Sequence, residues 1–370
     1  MRVPEELSPL FDAQNPFRER RAGLSDAKMI YFADGNNVLA PIYGAFVQNS
    51  PLELRKSEDG RCYIFERDEQ LTEVLIPSAP GWYSRPVSDE PSDAAAKYVQ
   101  MHSIMQLASM PFANCALFAN GTPCKFCAVG YNARRKPKPV GKIARAVEFA
   151  LEELPYFDIT LNTGWSSAPS AGAEFIAPVA SAISATCSIR VAAEVNVPRD
   201  VEGTFKLLKD SGVSAIILNL ECWNDEARRV VAPIKADKRA VMRALEGALK
   251  FFGVGAVSSV LIIGAEPKEE TVRGAEELIK LSILPDVLVY RPTDGSLLAA
   301  QGAQPPPFED VRWVMRNVRE LKDKYQTWKL IAGSAGCTKC GGCSITTELL
   351  GLPRQSRERQ ALAKQVYLRG

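Results

Sequence analysis

The chain has 370 residues, 46% of them apolar and 24% charged, with a net charge of +2. That balance describes an ordinary globular protein with room for a large buried core. It excludes the strongly basic face needed for bulk nucleic-acid binding, and no apolar run reaches the roughly 18 residues of a membrane span.

In chain order, the first residues, Met-Arg-Val-Pro-Glu-Glu-Leu, lack the apolar segment of a signal peptide. Residues 1–95 read as a small β-rich domain. Its strand candidates are Lys28–Phe32, Ile42–Val47, Arg61–Phe65 and Glu73–Ile76, punctuated by Asp34-Gly35 and Asp59-Gly60. The proline-rich passage Ala79–Pro91 reads as a linker out of it.

From about residue 96 to 300, short apolar runs alternate with amphipathic segments. Strands are expected at Met101–Ser109, Phe157–Asn162, Ile189–Val195, Ser214–Leu220, Ala256–Ile263 and Val287–Tyr290. Helices are expected at Gly141–Leu154, Ala173–Thr186, Val201–Ser211, Lys238–Phe252 and Thr271–Ile283. Such alternation gives right-handed βαβ crossovers and a parallel sheet, either doubly wound or curved into a partial barrel. In both, ligands bind beyond the C-terminal ends of the strands. Polar or glycine residues stand at six successive strand ends, which points to one shared pocket. Residues 301–370 form a closing C-terminal segment, with an apolar stretch at Trp328–Ile331 and a charged stretch at Arg354–Gly370 that reads as an exposed helix or tail.

The chemistry is concentrated in cysteine. Six of the nine cysteines fall in two trios: Cys115, Cys124 and Cys127, then Cys337, Cys340 and Cys343. With no leader, this indicates a reducing cytoplasm where thiols serve metals. Thiolates in threes suit iron–sulfur clusters with one iron left open, since protein-only metal sites usually want four ligands. Zinc completed by a distant cysteine is the alternative at either trio. At the second, Gly336, Gly341 and Gly342 free the backbone to turn three sulfurs toward one centre.

The single histidine, His102, argues against a Ser-His hydrolase or a His-liganded metalloenzyme and reads as a core residue. Cys62, Cys187 and Cys222 read as small apolar side chains, with Cys222 at a strand end near the pocket. The basic run Arg134, Arg135, Lys136 and Lys138 reads as a solvated loop. Ser334 and Ser344 flank the second trio and read as turn residues or oxygen ligands.

The three-cysteine loop after the first barrel strand, with Phe126 just before Cys127, resembles the radical S-adenosylmethionine superfamily. The spacing is Cys-x8-Cys-x2-Cys where the family usually has Cys-x3-Cys-x2-Cys. The resemblance implies a partial (βα)6 TIM-type barrel. It also implies that Cys115, Cys124 and Cys127 hold a [4Fe–4S] cluster whose open iron chelates S-adenosylmethionine. Reductive cleavage would then give a 5′-deoxyadenosyl radical for C–H activation.

Further positions are similar to the biotin-synthase-like branch. Phe126, Thr163, Gly164, Glu194, Asn219, Glu221 and Gly264 stand where that resemblance puts contacts to the cofactor or substrate. Cys337, Cys340 and Cys343 would hold a second, auxiliary [4Fe–4S] cluster. The combination looks most like the archaeal two-protein lipoyl synthases. It implies sulfur insertion into an octanoyl chain on a carrier protein or domain, a second radical enzyme as partner, and a reductant such as ferredoxin. The alternatives are a radical enzyme without sulfur donation and a zinc-stabilised binding protein.

Overall fold

In the computed structural model, residues 1–12, 27–32, 37–103, 105–132, 136–329 and 335–350 are described. Arg134, Arg135, Ser334, the Asp34-Gly35 turn, the end of the Trp328–Ile331 stretch and the tail Arg354–Gly370 lie outside them.

After a short helix α1 (Ser8–Asp12), the N-terminal region is an antiparallel sheet of β1 (Ala27–Phe32), β2 (Asn37–Pro41), β3 (Leu52–Lys56), β4 (Cys62–Glu66) and β5 (Glu69–Leu75), ordered β2-β1-β5-β4-β3. One face covers a small core of Phe11, Ile30, Leu54 and Val74, in which Cys62 sits as expected. The other face gives Met29, Tyr31 and Leu39 to the main core. Two expectations are corrected here. Ile42–Val47 is no strand, because Gly44 takes φ +94° and the chain turns into a 3-10 helix at Ala45–Asn49. The passage Ala79–Pro91 is packed, with Trp82 and Tyr83 buried in the main core and Glu153 accepting the Gly81 and Trp82 amides.

The second sheet has seven strands: β6 (Gln100–Ser103), β7 (Gln106–Phe112), β8 (Asp158–Thr163), β9 (Arg190–Val195), β10 (Val213–Leu218), β11 (Val257–Ile263) and β12 (Leu284–Val289). Strands β7 to β12 pair in chain order and in parallel. The chain therefore has the curved half-barrel of six βα units that the alternation predicts. The expected strand Met101–Ser109 is instead a hairpin, with β6 antiparallel on the edge of β7. Its polar His102, Ser103 and Gln106 interrupt the apolar run at the reversal.

The intervening helices are α2 (Ala116–Ala119), α3 (Val140–Glu153), α4 (Ala173–Thr186), α5 (Val201–Asp210), α6 (Asp225–Val231), α7 (Lys238–Phe252), α8 (Lys268–Lys280), α9 (Leu297–Ala300), α10 (Phe308–Tyr325), α11 (Cys337–Cys340) and α12 (Thr346–Leu349). Side-chain caps start several of them: Asp200 accepts the Gly203 amide, Asn224 the Ala227 amide and Asp237 the Ala240 amide. Helix α8 begins three residues before the expected Thr271, directly after Pro267, a residue that fits a helix start because its missing N–H is not needed there.

Period-2 alternation divides each barrel strand. Val191, Ala193 and Val195 of β9, Ile216 and Leu218 of β10, and Leu261 and Ile263 of β11 pack outward against the helices. Ala192, Ala215 and Ile217 form a separate cluster facing the lumen, as do Val260 and Ile262.

Residues 335–350 close the seam between the edges β12 and β6. The Gly336 amide donates to Asp158 Oδ2 (3.0 Å) and its carbonyl accepts from Gln106 Nε2 (3.3 Å). Leu39 of β2 donates to the Gly342 carbonyl (2.7 Å). Thr346 Oγ1 accepts the Val287 amide of β12 (2.9 Å), and Ser344 donates to the Val287 carbonyl (2.7 Å). Ser344 is thus occupied by backbone, the turn role foreseen for it.

Candidate active site at the barrel mouth

The first trio lies in the loop after β7. Three tethers hold this loop across the mouth: Ala116 donates to the Trp165 carbonyl (2.9 Å), Lys125 to the Val231 carbonyl (2.8 Å), and Leu298 to the Lys125 carbonyl (2.9 Å). The loop is thereby fixed to the exits of β8, β10 and β12. Cys115 and Cys127 share an apolar cluster with Met110, Leu117, Phe118 and Trp165. Phe126 points to the other side, against Val260, Ile262 and Tyr290.

Gly164 explains how the neighbouring loop fits. A Cβ there would stand 2.0 Å from the Asn114 carbonyl oxygen and 2.5 Å from Cys115 Cβ. The absent side chain lets the exit of β8 press on Cys115, while Thr163 donates to the Phe112 carbonyl (2.9 Å). Gly264 takes φ +90°, and the ring of Pro306 packs where its Cβ would be, at 3.0–3.1 Å.

Beneath the loop the lumen is polar. Glu194 accepts from Asn162 Nδ2 (3.0 Å) and from Asn219 Nδ2 (2.9 Å), leaving Asn219 Oδ1 buried without a partner among the described residues. Glu221 is buried with φ +72°, a conformation rare outside glycine, and still pairs with β11 through the Val260 carbonyl and the Ile262 amide. Its Oε1 accepts from Lys235 Nζ at 2.5 Å, a pair in which both side chains are 6% exposed.

Lys235 was not foreseen. It sits in a 3-10 turn, Pro233–Lys235, held by the fully buried Arg228. Arg228 donates to the carbonyls of Lys235 (2.9 Å), Cys222 (2.9 Å) and Trp223 (3.0 Å). Burial alone would pull the Lys235 ammonium down, but Glu221, Cys124 and Glu194 together hold its pKa above the ordinary value. Tyr290 was not foreseen either: it is 4% exposed, in the cluster that includes Phe126, and its buried hydroxyl has no hydrogen-bond partner among the described residues. Beyond it, a small cleft lies between Tyr43, Gly44 and Phe46 of the N-terminal region and Arg291–Asp294. Of the other cysteines, Cys222 is fully buried and Cys187 packs on the main core. Lys138 departs from the solvated reading: it is buried, with Nζ 3.4 Å from the Tyr98 carbonyl oxygen.

Burial pushes the Cys124 thiol up to about 12; Lys235 opposes the rise, and the charges of Glu221, Cys127 and Cys115 reinforce it. The three sulfurs therefore sense one another, and all nine cysteines are free of disulfides. Among the described residues no three of His, Cys, Asp or Glu gather round one point as a single ion would require. A four-iron cluster asks for a different arrangement, because each thiolate binds its own iron. Three thiols in one tethered loop, with a buried lysine as counter-charge, fit such a group.

Of the second trio, Cys337 faces the same lumen, packed on Ala192, Ala215 and Ile217; Cys340 is buried, and Cys343 packs on the main core. Burial raises the Cys337 thiol well above its usual value, and the charges of Asp286 and Glu194 add to this. Glu194 thus acts on Cys337 as well as on Lys235. His102, expected to be an ordinary core residue, meets Cys340, with Nδ1 3.3 Å from Sγ.

Residues 111–279 match the model of the Radical SAM superfamily. The matched segment covers a little under half of the chain. It contains the first trio and every lumen residue from Thr163 to Gly264, and ends before Tyr290 and the second trio. The bacteriochlorophyllide c C-7(1)-hydroxylase of Chlorobaculum limnaeum is 25% identical over 233 residues, 55% of this chain and 56% of that protein. The chain thus spans little more than half the length of this curated relative. Among solved structures, the FeFe-hydrogenase maturase HydG from Carboxydothermus hydrogenoformans aligns at 15% identity, over 69% of this chain and 56% of that one, with a TM-score of 0.47. Coproporphyrinogen III oxidase (HemN) from Escherichia coli, described as a radical SAM enzyme, aligns at 16% identity, over 59% and 52%, with a TM-score of 0.41. No helix among the described residues is long and apolar enough to cross a membrane.

Proposed function

We propose that the chain is a radical enzyme that cleaves S-adenosylmethionine at the barrel mouth and uses the product for C–H activation. The observation that carries this is the tethered loop of Cys115, Cys124 and Cys127 over a polar lumen, inside the matched domain. A [4Fe–4S] cluster bound there with S-adenosylmethionine supplies one-electron cleavage of the sulfonium. Cys115, Cys124 and Cys127 hold the cluster, and Lys235 sets a positive charge beside its thiolates. Asn219 Oδ1 accepts from an amine or hydroxyl of the bound cofactor, with Glu194 orienting its amide. Thr163, Gly164, Glu221 and Gly264 shape the strand exits, and Phe126 closes the apolar side. The Tyr290 hydroxyl, otherwise unpartnered, faces the ligand. Enclosure keeps a reactive intermediate from water.

The favoured outcome is sulfur insertion of the lipoyl type. Its support is Cys337 of the second trio on the same lumen, together with an apolar wall of Val260, Ile262 and Leu288 suited to an alkyl chain. On this reading Cys337, Cys340 and Cys343 hold an auxiliary iron–sulfur cluster that gives up sulfide. The substrate is an octanoyl chain on a carrier protein or domain, a second radical enzyme shares the reaction, and a reductant such as ferredoxin supplies electrons. Nine disulfide-free cysteines suit a reducing cytoplasm. The hydroxylase relative supports a second reading, C–H activation without sulfur donation. Incubating reduced enzyme with the cofactor and an octanoylated peptide, then weighing the peptide, separates the two. Sulfur insertion predicts a sulfur-sized mass gain that Cys337→Ala abolishes while cofactor cleavage persists. Equal product from Cys337→Ala removes sulfur donation.

A further inference from the structure

The second trio has a neighbour that its own stretch of sequence does not provide. His102, on the edge strand β6, places Nδ1 3.3 Å from the sulfur of Cys340, more than two hundred residues away. The approach is built by the fold. Gly336 is anchored to Asp158 and Gln106 at the lower end of the barrel, and Gly342 receives the Leu39 amide. Gly336 and Gly341 take φ of +93° and +63°, so the short helix α11 is turned sharply at both ends.

The separation is informative. Metal–sulfur bonds of about 2.3 Å and metal–nitrogen bonds of about 2.0–2.1 Å at a tetrahedral angle put two ligands of one metal about 3.5 Å apart. Ligands on different irons of a cubane stand much farther apart. The His102–Cys340 contact is within hydrogen-bond reach, and its length is also that of two ligands on one metal. Two protein ligands on one metal is the arrangement of a two-iron cluster, in which each iron takes two protein ligands, and not of a cubane, in which each iron takes one.

We propose that His102 is the fourth ligand of the second site, and that Cys340 and His102 bind one iron of a [2Fe–2S] cluster whose other iron is held by Cys337 and Cys343. The inference rests on the proposed iron–sulfur reading of this trio and replaces the four-iron form expected from the resemblance. The imidazole would raise the potential of the cluster above that of an all-thiolate one.

Because the chain has one histidine, growing the untagged protein on ring-15N histidine labels this site alone. The test uses the variant Cys115→Ser/Cys124→Ser/Cys127→Ser, which removes the first trio, prepared anaerobically and reduced. The expected result is about two irons and two sulfides per chain and a paramagnetic signal showing direct 15N coupling. Iron without 15N coupling overturns the assignment of His102 but leaves the cluster standing. About four irons, or zinc in place of iron, overturns the two-iron site. A chain with no metal removes the iron–sulfur reading itself, and this inference with it. Should the variant not fold, the same coupling is sought in the reduced wild-type chain, where its absence from every cluster signal overturns the proposal.

Discussion

Lys235 and Glu221 form a buried ion pair at the one place where strand β10 leaves the sheet with a left-handed residue. Removing one partner of such a pair leaves an uncompensated buried charge and costs about 3–5 kcal/mol. Lys235→Met should therefore lose stability of that order in urea unfolding. Adding Glu221→Gln to it should recover much of the loss, because the stranded carboxylate is gone. If the two losses simply add, the pair is not coupled in the way described. Neither residue's part was fully legible in the sequence. Glu221 was singled out at a strand end, whereas a lysine in a Pro-Ile-Lys turn reads as surface, and its burial depends on Arg228 closing the loop from the next helix. Tyr290 carried a usable signal, since it ends the sixth strand at the same level as the other strand-end residues.

At the scale of elements, the exits of β7 and β8 are fitted to each other through Gly164. Gly164→Ala would drive a methyl group into the Asn114 carbonyl and Cys115, and overpacking of this kind costs about 1–3 kcal/mol. The expected outcome is an unchanged far-ultraviolet spectrum with iron uptake at the first site cut by at least half. Full iron loading would show that the loop tolerates displacement of Cys115. The parallel strands and their helices were readable because buried strands give short apolar runs and amphipathic helices give a 3.6-residue period. Strands β8 to β11 and helices α4 and α7 follow that reading closely, while β12 starts three residues before the expected Val287. The hairpin of β6 and β7 was not readable, since the stretch between Ser103 and Gln106 holds no glycine, proline, asparagine or aspartate to mark a turn. Strand β3 was missed because Leu52-Glu-Leu-Arg-Lys is half charged, and its place is set by pairing with β4.

Across the whole molecule, the first cysteine trio and Cys337 of the second, far apart in sequence, come to one lumen. The half-barrel leaves a seam between β12 and β6, and the C-terminal segment fills it. Glu194, held by Asn162 and Asn219, faces the Lys235 side and the Cys337 side alike. The sequence shows both trios but not the lumen that the first shares with Cys337, because closure of the seam depends on contacts from β2, β6, β8 and β12 at once. The most direct test of the account is the yield of 5′-deoxyadenosine when anaerobically loaded, reduced enzyme meets S-adenosylmethionine. The account predicts that the wild-type chain releases it and that Cys124→Ala, equally folded, releases none. Equal yield from Cys124→Ala, or none from a fully iron-loaded wild-type chain, would contradict it.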